Sequence, residues 1–112
     1  MIRKLVVHIK EDAWLAKLAA KRMRSSQMAM VVGCTIYLHG VSRQGFLSDA
    51  GWMRHEVCHV YQYRQYGILR FLWLYWREFH RHGYYQNAFE IAAREAENDP
   101  ELLKNIDFAP KA

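Results

Sequence analysis

The sequence predicts an α+β domain, and three observations carry that expectation. Apolar residues recur first at helical spacing, then as a β-branched and aromatic run broken by glycines, then at helical spacing again. All of this fits within 112 residues, enough for a single core spanning 1–112. Hydrophobic residues make up 52% and charged residues 24%, and four Trp, seven Tyr and five Phe supply the bulk. Such a composition suits a folded chain and excludes extensive disorder.

Each element has its own signal. From Glu11 to about Arg24, Trp14, Leu15, Leu18, Ala19 and Met23 recur opposite Lys17 and Lys21, giving an N-terminal helix. Residues 28–40, punctuated by Gly33 and Gly40, read as two short strands, with a third near Gly45-Phe46-Leu47. Ser48 or Asp49 can cap a helix that runs to about Tyr66 and stops at Gly67. A third helix, about Ile68 to His82, carries aromatic residues on nearly every side, so it is expected to be buried between other elements. Asn87 can cap a fourth helix through Glu97, closed by Asn98-Asp99-Pro100. Beyond it, one helical turn and an irregular end are expected, with 99–112 as a regulatory tail.

Charge and cysteine content narrow the classes. The net charge of +5 comes from scattered basic residues, and the one cluster, Lys17, Lys21, Arg22 and Arg24, reads as a solvated helix face. No aromatic–basic motif accompanies it, so nucleic acid is not an expected partner. Cys34 and Cys58 do not form a disulfide framework and read as packed, inert thiols in a reducing compartment. The N-terminal apolar run is too short for a secretory leader, and the longest charge-free stretch, residues 25–42, is too polar to span a membrane. A cytoplasmic protein is the expectation.

Chemistry is concentrated in His55-Glu56-Val57-Cys58-His59. At about 100° per residue, His55 and His59 lie one turn apart on one helix face and can take two positions of one tetrahedral metal, with zinc the expected ion. Glu56 sits beside that line, where it can take a proton without becoming a ligand. The same face carries Trp52, Tyr63 and Tyr66, while Met53, Val57 and Val60 form a separate apolar face that can bury the helix. A third ligand is needed. His80, His82, Glu90, Glu95 and Glu97 are candidates, and Glu90 is chosen because it borders the small-residue stripe Phe89, Ala92, Ala93 and Ala96. Glu95 points away, and Glu97 lies too far along.

The run His55-Glu-Val-Cys-His59-Val-Tyr-Gln-Tyr, followed by Gly83-Tyr-Tyr-Gln-Asn-Ala-Phe-Glu90-Ile-Ala-Ala-Arg94, resembles the gluzincin zinc metallopeptidases. The nearest likeness is to the minigluzincins, small soluble counterparts of membrane-peptidase catalytic domains. The resemblance implies one zinc held by His55, His59 and Glu90, with Glu56 as general base and acid, and a peptide or protein substrate. It also allows a latent enzyme. Two positions depart from the membrane relatives: Arg94 stands where an Asp is common, and Ala88 where a Pro is common.

A peptidase of this kind needs a donor for the oxyanion that develops at the scissile carbonyl. Tyr84, Tyr85, His80, His82 and Arg94 are the candidates. The edge of the sheet region can pair with an extended peptide. The competing expectation is a zinc-containing binding or structural domain without activity, favoured if Arg94 competes with the metal for Glu90.

Overall fold

The computed structural model describes residues 4–110. In chain order these form strand β1 (Leu5–Lys10), helix α1 (Trp14–Arg22), strands β2 (Met28–Val32) and β3 (Thr35–His39), helices α2 (Arg43–Leu47), α3 (Ala50–Tyr66), α4 (Ile68–His82) and α5 (Ala88–Ala96), and strand β4 (Ile106–Pro110). The α+β class holds, with one four-stranded sheet in the order β2-β3-β1-β4.

Strands β2 and β3 form an antiparallel hairpin, while β1 runs parallel to both β3 and β4. Gly33 turns the hairpin at φ 63°, a left-handed conformation costly for side chains with a Cβ. A Cβ there would also stand 3.3 Å from Ile68 Cδ1 at the start of α4, a tight contact that the Ile68 side chain would have to yield to. Val7, Ile9, Ile36 and Leu38 are fully or almost fully buried and meet Phe46, Val57 and Val60 in one core.

The roll of α3 follows from that core. Val57 and Val60 are fully buried. Exposing both would cost roughly 3–6 kcal/mol at ordinary values for a buried valine. Their burial turns the opposite side, with His55 and His59, towards α5. Asp49 caps α3 by accepting a hydrogen bond from the Trp52 amide, and Gly67, at φ 82° and ψ 158°, ends it in a conformation only glycine adopts readily. Because Gly67 is the single residue between α3 and α4, the chain turns there at once.

Four expectations need correction. A strand, β1, precedes the first helix; its run of Leu5, Val6, Val7 and Ile9 is the signal passed over. Residues around Gly45 form the short helix α2, because Ser42 Oγ accepts from the Gly45 amide and starts a turn rather than a strand. The end of the chain is not irregular: Ile106–Pro110 is β4, paired with β1 from Leu5↔Ile106 to Ile9↔Pro110. Ile106 is buried there and Asp107 meets Lys4 at 3.5 Å, on the side of the sheet opposite β2. Residues 111–112 of the expected tail lie outside the described residues.

The fourth correction concerns α4. Its boundaries are as expected, yet of its large apolar residues only Phe71 is buried, while Leu69, Trp73 and Trp76 are exposed. A single helix face turns inward, because α4 packs on one side only of the α3–α5 pair. Among the described residues no helix is long and apolar enough to cross a membrane.

Candidate metal centre

Three side chains from two helices converge. His55 and His59 project from the middle of α3, and Glu90 from the first turn of α5. The Nε2 atoms of His55 and His59 lie 3.1 and 3.2 Å from one oxygen, Glu90 Oε1. All three ligand atoms fall within 4.8 Å of one another, so the group could hold a metal ion. This is the trio the sequence brought forward, and the structure brings it together.

The start of α5 is fastened from both sides. Asn87 is fully buried; its Oδ1 accepts from the Phe89 amide and its Nδ2 donates to the Tyr75 carbonyl of α4. Glu78 Oε1 accepts from the Ala88 amide, and Gln62 Nε2 of α3 donates to the Phe89 carbonyl. Ala93, fully buried, lets α5 close on α3. Glu90 is thereby held in place, and its position near a helix N-terminus favours the ionised carboxylate.

The far nitrogens of both rings are also engaged. His55 Nδ1 lies 2.8 Å from Glu97 Oε2, and His59 Nδ1 lies 2.8 Å from Gln62 Oε1. Both partners are acceptors, so each Nδ1 donates and each Nε2 is left to face the centre. Outer partners of this type fix the tautomer and the ring plane of a metal-binding histidine. Glu97 was expected to lie too far along the helix to be the third ligand. It is not in the ligand group, but it reaches His55, steadied by Arg54 Nη1 donating to its carbonyl at 3.0 Å.

Electrostatics follow the geometry. Burial disfavours charge on His55, but the hydrogen bond to Glu90, the carboxylate of Glu56 and the hydrogen bond to Glu97 outweigh it and push the imidazole up to about 9. His59 moves the same way, burial again being outweighed by Glu90 and Glu56. Burial would raise Glu90, yet hydrogen bonds from His55, His59 and Tyr75 hold it far below the usual carboxylate range. Glu56 has no such set of donors. Burial pushes its carboxyl up to about 7 against the pull of the two histidines.

The other candidates separate clearly. Tyr84 lines a cleft of about 400 Å³ together with His55, Glu56 and Trp52. Burial and the carboxylates of Glu90 and Glu56 raise its hydroxyl pKa, so it stays protonated. Tyr85 is 66% exposed. His80 stacks on Trp76 at 5.3 Å and His82 is exposed, so neither joins the trio. Arg94 is taken up by Tyr85: its Nη2 donates to that carbonyl at 2.5 Å and its guanidinium lies 3.9 Å from the ring centroid. Competition with a metal for Glu90 therefore loses its support. Cys58 is partly buried, and burial with Glu90 and Glu56 pushes its thiol up to about 11, which keeps it protonated and inert.

Tyr75 and Gln62 are the residues the sequence reading missed. Tyr75 Oη donates to Glu90 Oε2 at 2.5 Å, occupying the oxygen that the histidines leave. Gln62 stands three residues after His59, on the same helix face, and that spacing could have identified it. Tyr75 carried no such local signal among the aromatic residues of α4.

No family model matches the chain, and neither does any curated protein or solved structure. The class defined here is therefore the one the geometry gives: a helix-borne two-histidine, one-carboxylate group able to bind a metal ion.

Proposed function

We propose that this chain is a zinc-dependent peptidase of the gluzincin type, with His55, His59 and Glu90 as ligands and Glu56 as the proton carrier. One observation carries the reading: two Nε2 atoms and one carboxylate oxygen converge at 3.1–3.2 Å beside a buried glutamate that lines an open cleft. In a tetrahedral site with bonds of about 2.0–2.1 Å, neighbouring donor atoms stand about 3.3–3.4 Å apart, and the two nitrogen–oxygen separations here come close to that, which supports a fit to zinc. Two imidazoles and a carboxylate also suit zinc chemically, and three protein ligands leave a fourth position open.

When bound, zinc supplies a Lewis acid that polarises a carbonyl and makes water acidic near neutral pH. The chain's own residues do the rest. Glu56 accepts a proton from the attacking water and returns it to the leaving amine, a role suited to a buried carboxyl that lines the cleft beside His55. Tyr84, protonated and in the same cleft, donates to the carbonyl oxygen as negative charge develops there. Strand β2 lies at the sheet edge, and Met28 and Ala29 border the cleft, so an extended peptide can pair with its main chain.

The test is hydrolysis of a quenched fluorescent peptide library by the zinc-loaded chain. Cleavage should stop on chelation, return on adding zinc, and be absent in Glu56→Gln with zinc still bound. A zinc-loaded chain that cleaves no peptide would support a metal-bearing binding or structural domain instead.

A further inference from the structure

Helix α4 turns an unusual surface outward. Leu69, Trp73 and Trp76 are 84, 55 and 57% exposed, and Leu72 and Phe79 are 44 and 49% exposed. At about 100° per residue these five occupy an arc of roughly 120°. Arg70, Arg77 and Arg81 follow on the next sector of the helix, Arg77 lying over the Trp73 ring at 4.9 Å. The only acidic residue in the helix, Glu78, is turned to the Ala88 amide of α5. Leu72 and Phe79 also line an apolar chamber of about 320 Å³ that reaches His55 and Glu56.

We infer that this face seats the protein on an anionic lipid bilayer, with α4 lying in the interface. Tryptophan, phenylalanine and leucine on one face with arginines beside them is the pattern of a helix that inserts its apolar side below the headgroups. The helix has 15 residues and three arginines, so it lies on a bilayer and does not cross one. Charge favours lipid over a second copy. The face offers no carboxylate to the arginines of an opposing α4, whereas anionic headgroups match them and the net charge of +5. Seated this way, the chain presents the chamber bordered by Leu72 and Phe79 to the bilayer. The inference rests on α4 alone and stands or falls separately from the peptidase reading.

The experiment is co-sedimentation of the full chain with vesicles of phosphatidylcholine plus phosphatidylglycerol, and of phosphatidylcholine alone. Binding should be at least about tenfold stronger on the anionic vesicles and weaken as salt is raised. Lipids brominated in the acyl chain should quench tryptophan emission. The double variant Trp73→Ser/Trp76→Ser should lose both binding and quenching, and Arg70→Gln/Arg81→Gln should lose the preference for anionic vesicles. Unchanged circular dichroism and melting temperature in each variant establish that the fold is kept. Absence of binding to either vesicle overturns the inference, as does full binding by the tryptophan variant. Light scattering that shows a dimer abolished by Trp73→Ser/Trp76→Ser, without vesicle binding, assigns the face to a second copy instead.

Discussion

Helices α3 and α4 each carry two histidines, and the two pairs meet different surroundings. His55 and His59 stand four residues apart on one face, and every ring nitrogen has a partner: Glu90 on the inside, Glu97 or Gln62 on the outside. His80 and His82 are two residues apart, so they diverge by about 200° around the helix and cannot share one centre. His80 rests on the exposed ring of Trp76. Residue type is the same in both helices. What distinguishes the pair on α3 is that both rings are held from both sides.

The comparison breaks if the wrong pair controls the metal. Removing a ligand, by His59→Ala or Glu90→Ala, should abolish zinc retention after dialysis, a loss well beyond the ~10–100-fold typical of outer partners. His80→Ala and His82→Ala should leave one zinc per chain. Full zinc in Glu90→Ala would remove α5 from the centre altogether.

Next in size is the effect of Glu56→Gln. The amide keeps the shape but cannot carry a proton, so hydrolysis should fall by about 10²–10⁴ while zinc stays bound. Loss of zinc in that variant would make Glu56 a structural residue. Glu97→Ala sharpens the idea of rings held from outside: zinc affinity, measured by competition with a chelating dye, should fall by about 10–100-fold without loss of fold. An unchanged affinity would leave the 2.8 Å contact with His55 without consequence.

The smallest effect is one of pH on the metal-free chain. His55 stands at about 9 against an ordinary 6.5, so its stabilisation is complete below pH 6.5 and is lost as pH rises through about 9. Glu56, pushed from 4.5 to about 7, acts in the same direction at lower pH, because the folded state prefers its neutral form. The melting temperature of the metal-free chain should therefore fall between pH 6.5 and 9. Zinc competes for the same ring nitrogens, so its affinity should rise across that window. A melting temperature that climbs there would contradict the hydrogen bonds drawn between His55, Glu90 and Glu97.

The legible parts of the molecule are the local ones. The limits of α3 follow from Asp49 and Gly67, and the His55–His59 pair from one helical turn. Glu90 was reachable because Ala93 and Ala96 mark a helix able to approach another closely, although Ala92, read as part of the same stripe, is exposed. Other features depend on contacts no local pattern encodes. The orientation of α4, which brings Tyr75 to Glu90 and leaves Trp73 and Trp76 outside, is decided by how it docks on α3 and α5. Strand β4 escaped notice because Asp107 and Pro110 are poor strand formers, and its pairing with β1 is remote in sequence. Helix periodicity puts Glu97 on the face of Glu90, but its reach to His55 is set by how α5 docks on α3.

That remote pairing has a consequence for how the protein is made. As the chain emerges from the ribosome, Leu5–Lys10 comes out well ahead of its partner Ile106–Pro110, with every other described element between them. The side of β1 that β4 will cover stays bare throughout that interval, whereas β3 can cover the other side much earlier. His55, His59 and Glu90, the group able to hold a metal ion, all precede β4 in the chain. Closing a parallel pair across that separation is a slow, non-local event. Helices α3 and α5 can thus bring that group together while the sheet is still unfinished.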